Sequence, residues 1–146
     1  MSQKSPHNVL APPQQAGIYR LPPGNHAALE RAANSLGFAR FAVNFDESGK
    51  IDAVLAALGR DLEFPVWYGN NLDALNDCLS DFSWREAPGY VIVISGASAL
   101  HSDAKAFRTL NNVFTSAIEA WQARNVPLWI FYDLSTDRLP ALPTLK

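Results

Sequence analysis

Helical and strand periodicities alternate along this chain. They predict an α/β fold: a small, mainly parallel sheet of three strands, with a fourth candidate, packed with helices. Three observations carry that reading. YVIVI (Tyr90–Ile94) is a continuous β-branched run, as in strands buried on both faces. PLWIFYD (Pro127–Asp133) is a second apolar run, and its proline sits at the first position, where a strand tolerates it. Between them, Phe107, Leu110, Phe114, Ala117, Ile118 and Trp121 trace one face of a long helix.

The remaining elements follow in order. Residues 1–16 are rich in Pro, Gln and Ser without periodicity and read as a flexible tail. GIYRL (Gly17–Leu21) is the candidate fourth strand, stopped by Pro22-Pro23-Gly24. HAALERAANSLG is helical, with Asn25 as N-cap and Gly37 as its stop. FARFAVNF (Phe38–Phe45) reads as a strand, and residues 46–50 as a turn. Ile51, Val54, Leu55, Leu58 and Leu62 share one helical face. Gly69-Asn70-Asn71 supplies turn and capping chemistry for a helix from Leu72 to Phe82. Ser102 is the expected N-cap of the long helix, and Asn111-Asn112 a candidate interruption of it. The tail after Asp133 is expected to be irregular.

A chain of 146 residues is expected to form one domain. That length buries roughly 68–70% of the unfolded surface, so no staple is needed. The expected division is the tail 1–16 and a single domain 17–146, with 17–37 an N-terminal extension and 38–133 the core. The net charge of -2 and the scattered twelve Lys and Arg do not suggest nucleic-acid binding. Cys78 stands alone, which leaves no disulfide within this chain and no Cys-type metal site. No run approaches 18 apolar residues, and the first residues hold no apolar core of signal-peptide length. The expected location is the cytoplasm, with no membrane contact.

The distinctive stretch is FPVWYGNNLDALNDCLSDF, Phe64–Phe82. On a helical wheel at about 100° per residue, Asp73, Asp77 and Asp81 fall at about 100°, 140° and 180° from Leu72. Leu75, Cys78, Leu79 and Phe82 fall at about 240–340°, on the other side. Like charges at i,i+4 disfavour a helix by roughly 0.2–0.5 kcal/mol per pair. The helix dipole favours Asp73 and opposes Asp81. From Asp61 to Ser83 no Lys or Arg compensates the row. Three aspartates alone make an ordinary solvated face. Trp67 and Tyr68, adjacent in the preceding loop, change the balance, because neighbours in extended chain point opposite ways and at least one is expected at the surface. An aromatic beside charges is the usual material of a binding hot spot.

F-P-x-W-Y-G-x-N-L-D-A-L-x-D-C-L resembles the signature of the barstar family, inhibitors of barnase-type ribonucleases. The ungapped match covers Phe64–Phe82, and the strand–helix–strand order after it is similar. The resemblance implies an acidic helix and preceding loop presented to a ribonuclease active site. It assigns the loop aromatic to Trp67, the two helix aspartates to Asp73 and Asp77, a phosphate-like position to Asp77, and a late-helix glutamate to Glu119. Ser80 stands where the prototype has threonine, and Asp81 where it has glycine. The prototype's tryptophans at the Asn76 and Phe82 positions and its second cysteine are absent; Trp84 is a candidate stand-in for one. The expected partner surface is therefore Trp67, Tyr68, Asn71, Asp73, Asn76, Asp77, Ser80, Asp81 and Glu119. The expected partner is a basic extracellular-type or toxin ribonuclease, bound 1:1; the alternative is immunity against a different basic toxin or protein.

An enzyme is the rival class. Asp73 and Asp77 are adjacent on one helix with no evident cleft and no apolar pocket to raise a pKa. His7, His26 and His101 lack metal-ligand spacing, and no Gly-rich phosphate loop is present. No catalytic residue, cofactor or metal is expected.

Overall fold

The computed structural model describes residues 10, 13–21, 24–65 and 68–133. Among these residues, four strands form one sheet: β1 (Ile18–Arg20), β2 (Ala39–Asn44), β3 (Tyr90–Ser95) and β4 (Leu128–Tyr132). Their order is β1-β4-β3-β2, and every pairing is parallel. The register sets Ile92 beside both Phe41 and Ile130. GIYRL thus supplies the fourth strand, and all five residues of β4 are buried, as an inner parallel strand requires.

Among the described residues, five α-helices connect and cover the sheet: α1 (His26–Leu36), α2 (Ile51–Asp61), α3 (Leu72–Leu79), α4 (Ser98–His101) and α5 (Ala104–Gln122). Gly37 ends α1 in the left-handed region at φ 74, its N–H bonded to the carbonyls of Ala33 and Asn34. Asn25 holds the N-cap position of α1 without a side-chain bond. The cap of α5 is Asp103, not Ser102: its carboxylate accepts from the Ala106 N–H at 3.1 Å. Ser102 instead closes α4, donating to Ala99 O at 2.8 Å. Asn111 does not interrupt α5. Its amide donates to Phe107 O at 2.9 Å and its oxygen accepts from the buried Tyr132 hydroxyl at 2.7 Å. A polar residue in mid-helix thereby satisfies a phenol that would otherwise be buried unpaired.

The N-terminal segment contributes residues to the core. Among its described residues, Leu10 and Ala16 are buried, and Pro13–Gln15 form a 3-10 turn. The Trp129 indole donates to Leu10 O at 3.1 Å. A buried indole N–H needs an acceptor, and residue 10 provides it. This part of 1–16 packs on the sheet instead of trailing from it.

An aromatic column fills the core beneath α3. Phe41 stacks on Phe82 at 5.5 Å, Phe82 on Tyr90 at 4.6 Å, and Tyr90 meets Trp121 at 5.1 Å. Such contacts add about 0.5–1.5 kcal/mol per pair beyond area burial. They fix the floor on which the acidic helix rests.

Candidate functional site: the acidic helix

The helix α3 starts where its sequence says it should. Asn71 is extended (φ -129, ψ 166), and its side-chain oxygen accepts from the Ala74 N–H at 2.8 Å. Leu75, Cys78 and Leu79 are buried toward the core. Asp73 and Asp77 are exposed one turn apart on the opposite side. Carboxylates so spaced lie about 5–6 Å apart at their Cβ atoms.

The helix ends earlier than the periodicity predicts. Ser80 is its C-cap, bonded through its N–H to Asn76 O and Cys78 O. Phe82 then takes a left-handed φ of 47 so that its ring can drop into the aromatic column. Asp81 is therefore exposed in a turn rather than third in a helical row. It accepts from the Ser83 hydroxyl at 3.1 Å. The Trp121 indole closes the end of α3 from α5, donating to Leu79 O at 2.7 Å. The free carbonyls of a helix end need such donors. Spacing gives no sign of this bond, which joins residues 42 apart.

Of the two adjacent loop aromatics, Tyr68 is the one the structure describes. It is 5% exposed, and its hydroxyl donates to Leu55 O at 2.9 Å. Phe64 meets its ring edge-on at 4.7 Å. In the free protein the ring packs the loop against α2. Burial pushes its phenol pKa above the ordinary value. Trp67 lies outside the described residues.

The other expected positions are distributed as follows. Glu119 is exposed on α5, two residues before Trp121, so it belongs to a neighbouring helix and not to the row. Asn76 is half-buried, and its side-chain oxygen finds no hydrogen-bond donor among the described residues. Trp84 is half-buried against Phe64 at 5.7 Å and Phe82 at 5.4 Å, so it extends the aromatic floor. Ser80 is half-buried at the helix end.

Electrostatics set this face apart. None of the ion pairs among the described residues involves Asp73, Asp77 or Asp81. The effect reaches inward: burial first, then the charges of Asp77 and Asp81, push the Cys78 thiol up to about 11. At neutral pH that thiol stays protonated and buried, a poor nucleophile. A cleft of about 230 Å³ opens beside Leu72, lined by Ile51, Asp103, Lys105, Ala106 and Thr109 as well. No aspartate of the acidic face lines it. Among the described residues, no cluster of three or more His, Cys, Asp or Glu could hold a metal. No described helix is long and apolar enough to cross a membrane.

A parallel α/β scaffold thus carries a short, capped acidic helix whose aspartates form no ion pair among the described residues. The chain belongs to the barstar family: the family described as Barstar (barnase inhibitor) matches residues 38–133. That membership supports a general inhibitor role. It covers β2 through β4, while β1 and α1 lie before the match. No curated protein matches the chain. Among solved structures, Drosophila ORC bound to AT-rich DNA and Cdc6 is similar at 15% identity and TM-score 0.44, over 84% of this chain and 42% of that one. Drosophila ORC bound to GC-rich DNA and Cdc6 is similar at 15% identity and TM-score 0.45, over 87% of this chain and 44% of that one. The chain thus spans less than half the length of either.

Proposed function

We propose that this protein inhibits a basic, barnase-type ribonuclease by laying the acidic face of α3 and its preceding loop over the RNA site. The observation that carries the reading is the pair Asp73 and Asp77: exposed, one turn apart on a capped helix, and without a described cation of their own. A ribonuclease must hold phosphates, so its cleft focuses a positive field. Carboxylates accept charge-assisted bonds from arginine much as phosphates do. Asp77, in the middle of the face, takes the phosphate-like position. Trp67, Asn71, Asn76, Ser80 and Glu119 surround it in the proposed contact. Asp81, on its own turn, contributes to the field more than to a fixed contact. The matching surface on the ribonuclease pairs once, which gives a 1:1 complex in the cytoplasm.

Close charge pairs in barnase–barstar couple by about 1.5–7 kcal/mol. Those are measurements on the same family, so the scale is borrowed and not predicted. The test is a titration of RNA cleavage by barnase and by other basic ribonucleases. Asp77→Ala should weaken inhibition far more than Asp52→Ala, whose aspartate is exposed in the first turn of α2. Equal inhibition by the two variants would remove Asp77 from the site. Failure against every ribonuclease, with capture of a different basic toxin, would favour an immunity role for the same face.

A further inference from the structure

We infer that Gly59, on α2, is a positioning residue: it is the socket that seats Tyr68 and thereby sets the loop that leads into the acidic helix. This rests on the inhibitor reading above and deepens it.

Gly59 sits in the interior of α2 (Ile51–Asp61), where glycine costs roughly 0.5–1 kcal/mol relative to alanine as a helix residue. Its φ is not left-handed, so conformation gives no reason for glycine here. Space does. A Cβ at Gly59 would lie 2.6 Å from Cε2 and 2.7 Å from Cδ2 of Tyr68, closer than carbon atoms pack. The ring cannot swing aside cheaply. Its hydroxyl is bonded to Leu55 O at 2.9 Å, and Phe64 closes on it at 4.7 Å. The Gly59 carbonyl also accepts from the Phe64 N–H at 3.0 Å, which fixes where the loop leaves the helix. The Tyr68 N–H in turn donates to Pro65 O at 3.0 Å.

The seated ring lies three residues before Asn71, whose side chain starts α3, and the Asn70 N–H between them donates to Tyr68 O. It is also the immediate chain neighbour of Trp67. Filling the socket therefore displaces Tyr68 and, through it, the approach to the helix cap, while leaving Asp73 and Asp77 in the chain and on the surface. The long-range field is unchanged, but the short-range fit is lost. Field governs association, and fit governs dissociation.

The experiment uses the full chain with Gly59→Ala, Tyr68→Leu and the double variant, each measured for melting temperature and for association with barnase. Gly59→Ala is expected to lower the melting temperature and to raise the barnase dissociation rate at least tenfold, with the association rate within about threefold of wild type. In the Tyr68→Leu background, where the ring is gone, the same change is expected to be neutral or to raise the melting temperature. A rise in melting temperature for the single variant, as for an ordinary helical Gly→Ala, overturns the socket. So does an equal loss in both backgrounds. An unchanged dissociation rate overturns the positioning role. If wild-type protein does not bind barnase, the inhibitor reading fails for that enzyme; the positioning role is then read from the Ala74 amide resonance. Gly59→Ala should shift it, and no shift overturns the inference.

Discussion

Two acidic sites in this molecule sit on neighbouring helices and have opposite fates. Asp61 ends α2, where the helix dipole opposes a negative charge. The chain compensates it fully. Arg60 donates to its two oxygens at 2.8 and 3.0 Å, and the Asn44 N–H at the end of β2 donates to it at 3.0 Å. The Arg60 guanidinium also reaches Asn44 O at 3.0 Å, so the pair stitches α2 to the edge strand. Asp73 and Asp77 on α3 receive no such partners among the described residues. The fold can evidently neutralise an acid where it needs a structural joint. On α3 it provides a rigid floor and a cap but leaves the charge open. That contrast separates an aspartate that holds the protein together from aspartates available to another molecule.

Substitutions at Asp77 and Asp61 should have the largest and most opposed effects. Asp77→Ala should lose about 2–5 kcal/mol of binding to a barnase-type partner, the usual cost of truncating one side of a buried charge pair. Its melting temperature should hold or rise slightly, since a like-charge neighbour is removed. Asp61→Asn should do the reverse. It should destabilise the fold by about 1–2 kcal/mol in denaturant titration and leave inhibition nearly intact. A stability loss at Asp77 matching that at Asp61 would erase the distinction.

The same contrast has a pH signature. Hydrogen bonding from Arg60 holds the Asp61 pKa below its ordinary value, although burial pushes the other way. A depressed carboxylate pKa contributes stability that is complete above the unfolded value, near 3.9 for aspartate as a rough reference, and is lost as pH falls through the folded value. Wild type should therefore lose stability on acidification more steeply than Asp61→Asn below about pH 4. Parallel acid titrations of the two proteins check this; superimposable curves would count against it.

Smaller effects sharpen the description of α3. Asn71→Ala removes the side-chain cap on the Ala74 N–H and should cost about 1 kcal/mol of stability. Asn71→Asp keeps an acceptor and should restore most of it. Asp81→Ala should change inhibition least of the three aspartates, because Asp81 lies on the turn and not on the helix. An effect as large as that of Asp77→Ala would place Asp81 in the central contact after all.

Much of the architecture is legible in local patterns. The β-branched run at Tyr90, the apolar run at Leu128 and the alternation through Phe41 mark three strands, because a strand's burial is written in its own residues. The start of α3 is equally local, since Asn71 caps an amide three residues away. Several departures depend on partners beyond the local window. Which of Trp67 and Tyr68 faces inward is not written locally: Tyr68 is seated by Gly59 and Leu55, nine and thirteen residues earlier. Asp81 continues the helical period on paper, but Phe82 must turn inward to reach Tyr90, and Trp121 closes the helix end first. Leu10 lies in a Pro- and Gln-rich stretch, and nothing near it indicates that it will meet the Trp129 indole, 119 residues later. Periodicity reports which face is apolar, but not which distant group will claim a particular polar atom.

On the proposed function, the open charge on α3 is complementary to cations on a ribonuclease. The most direct test is the association rate of this protein with barnase at low and at high salt, for wild type and for Asp73→Asn/Asp77→Asn. Steered association at low salt runs on the order of 10⁸–10⁹ M⁻¹s⁻¹ and falls steeply as salt rises. Wild type should show that fall. The double variant should associate more slowly at low salt and with a much flatter salt dependence. Identical salt dependence for the two proteins would contradict the account.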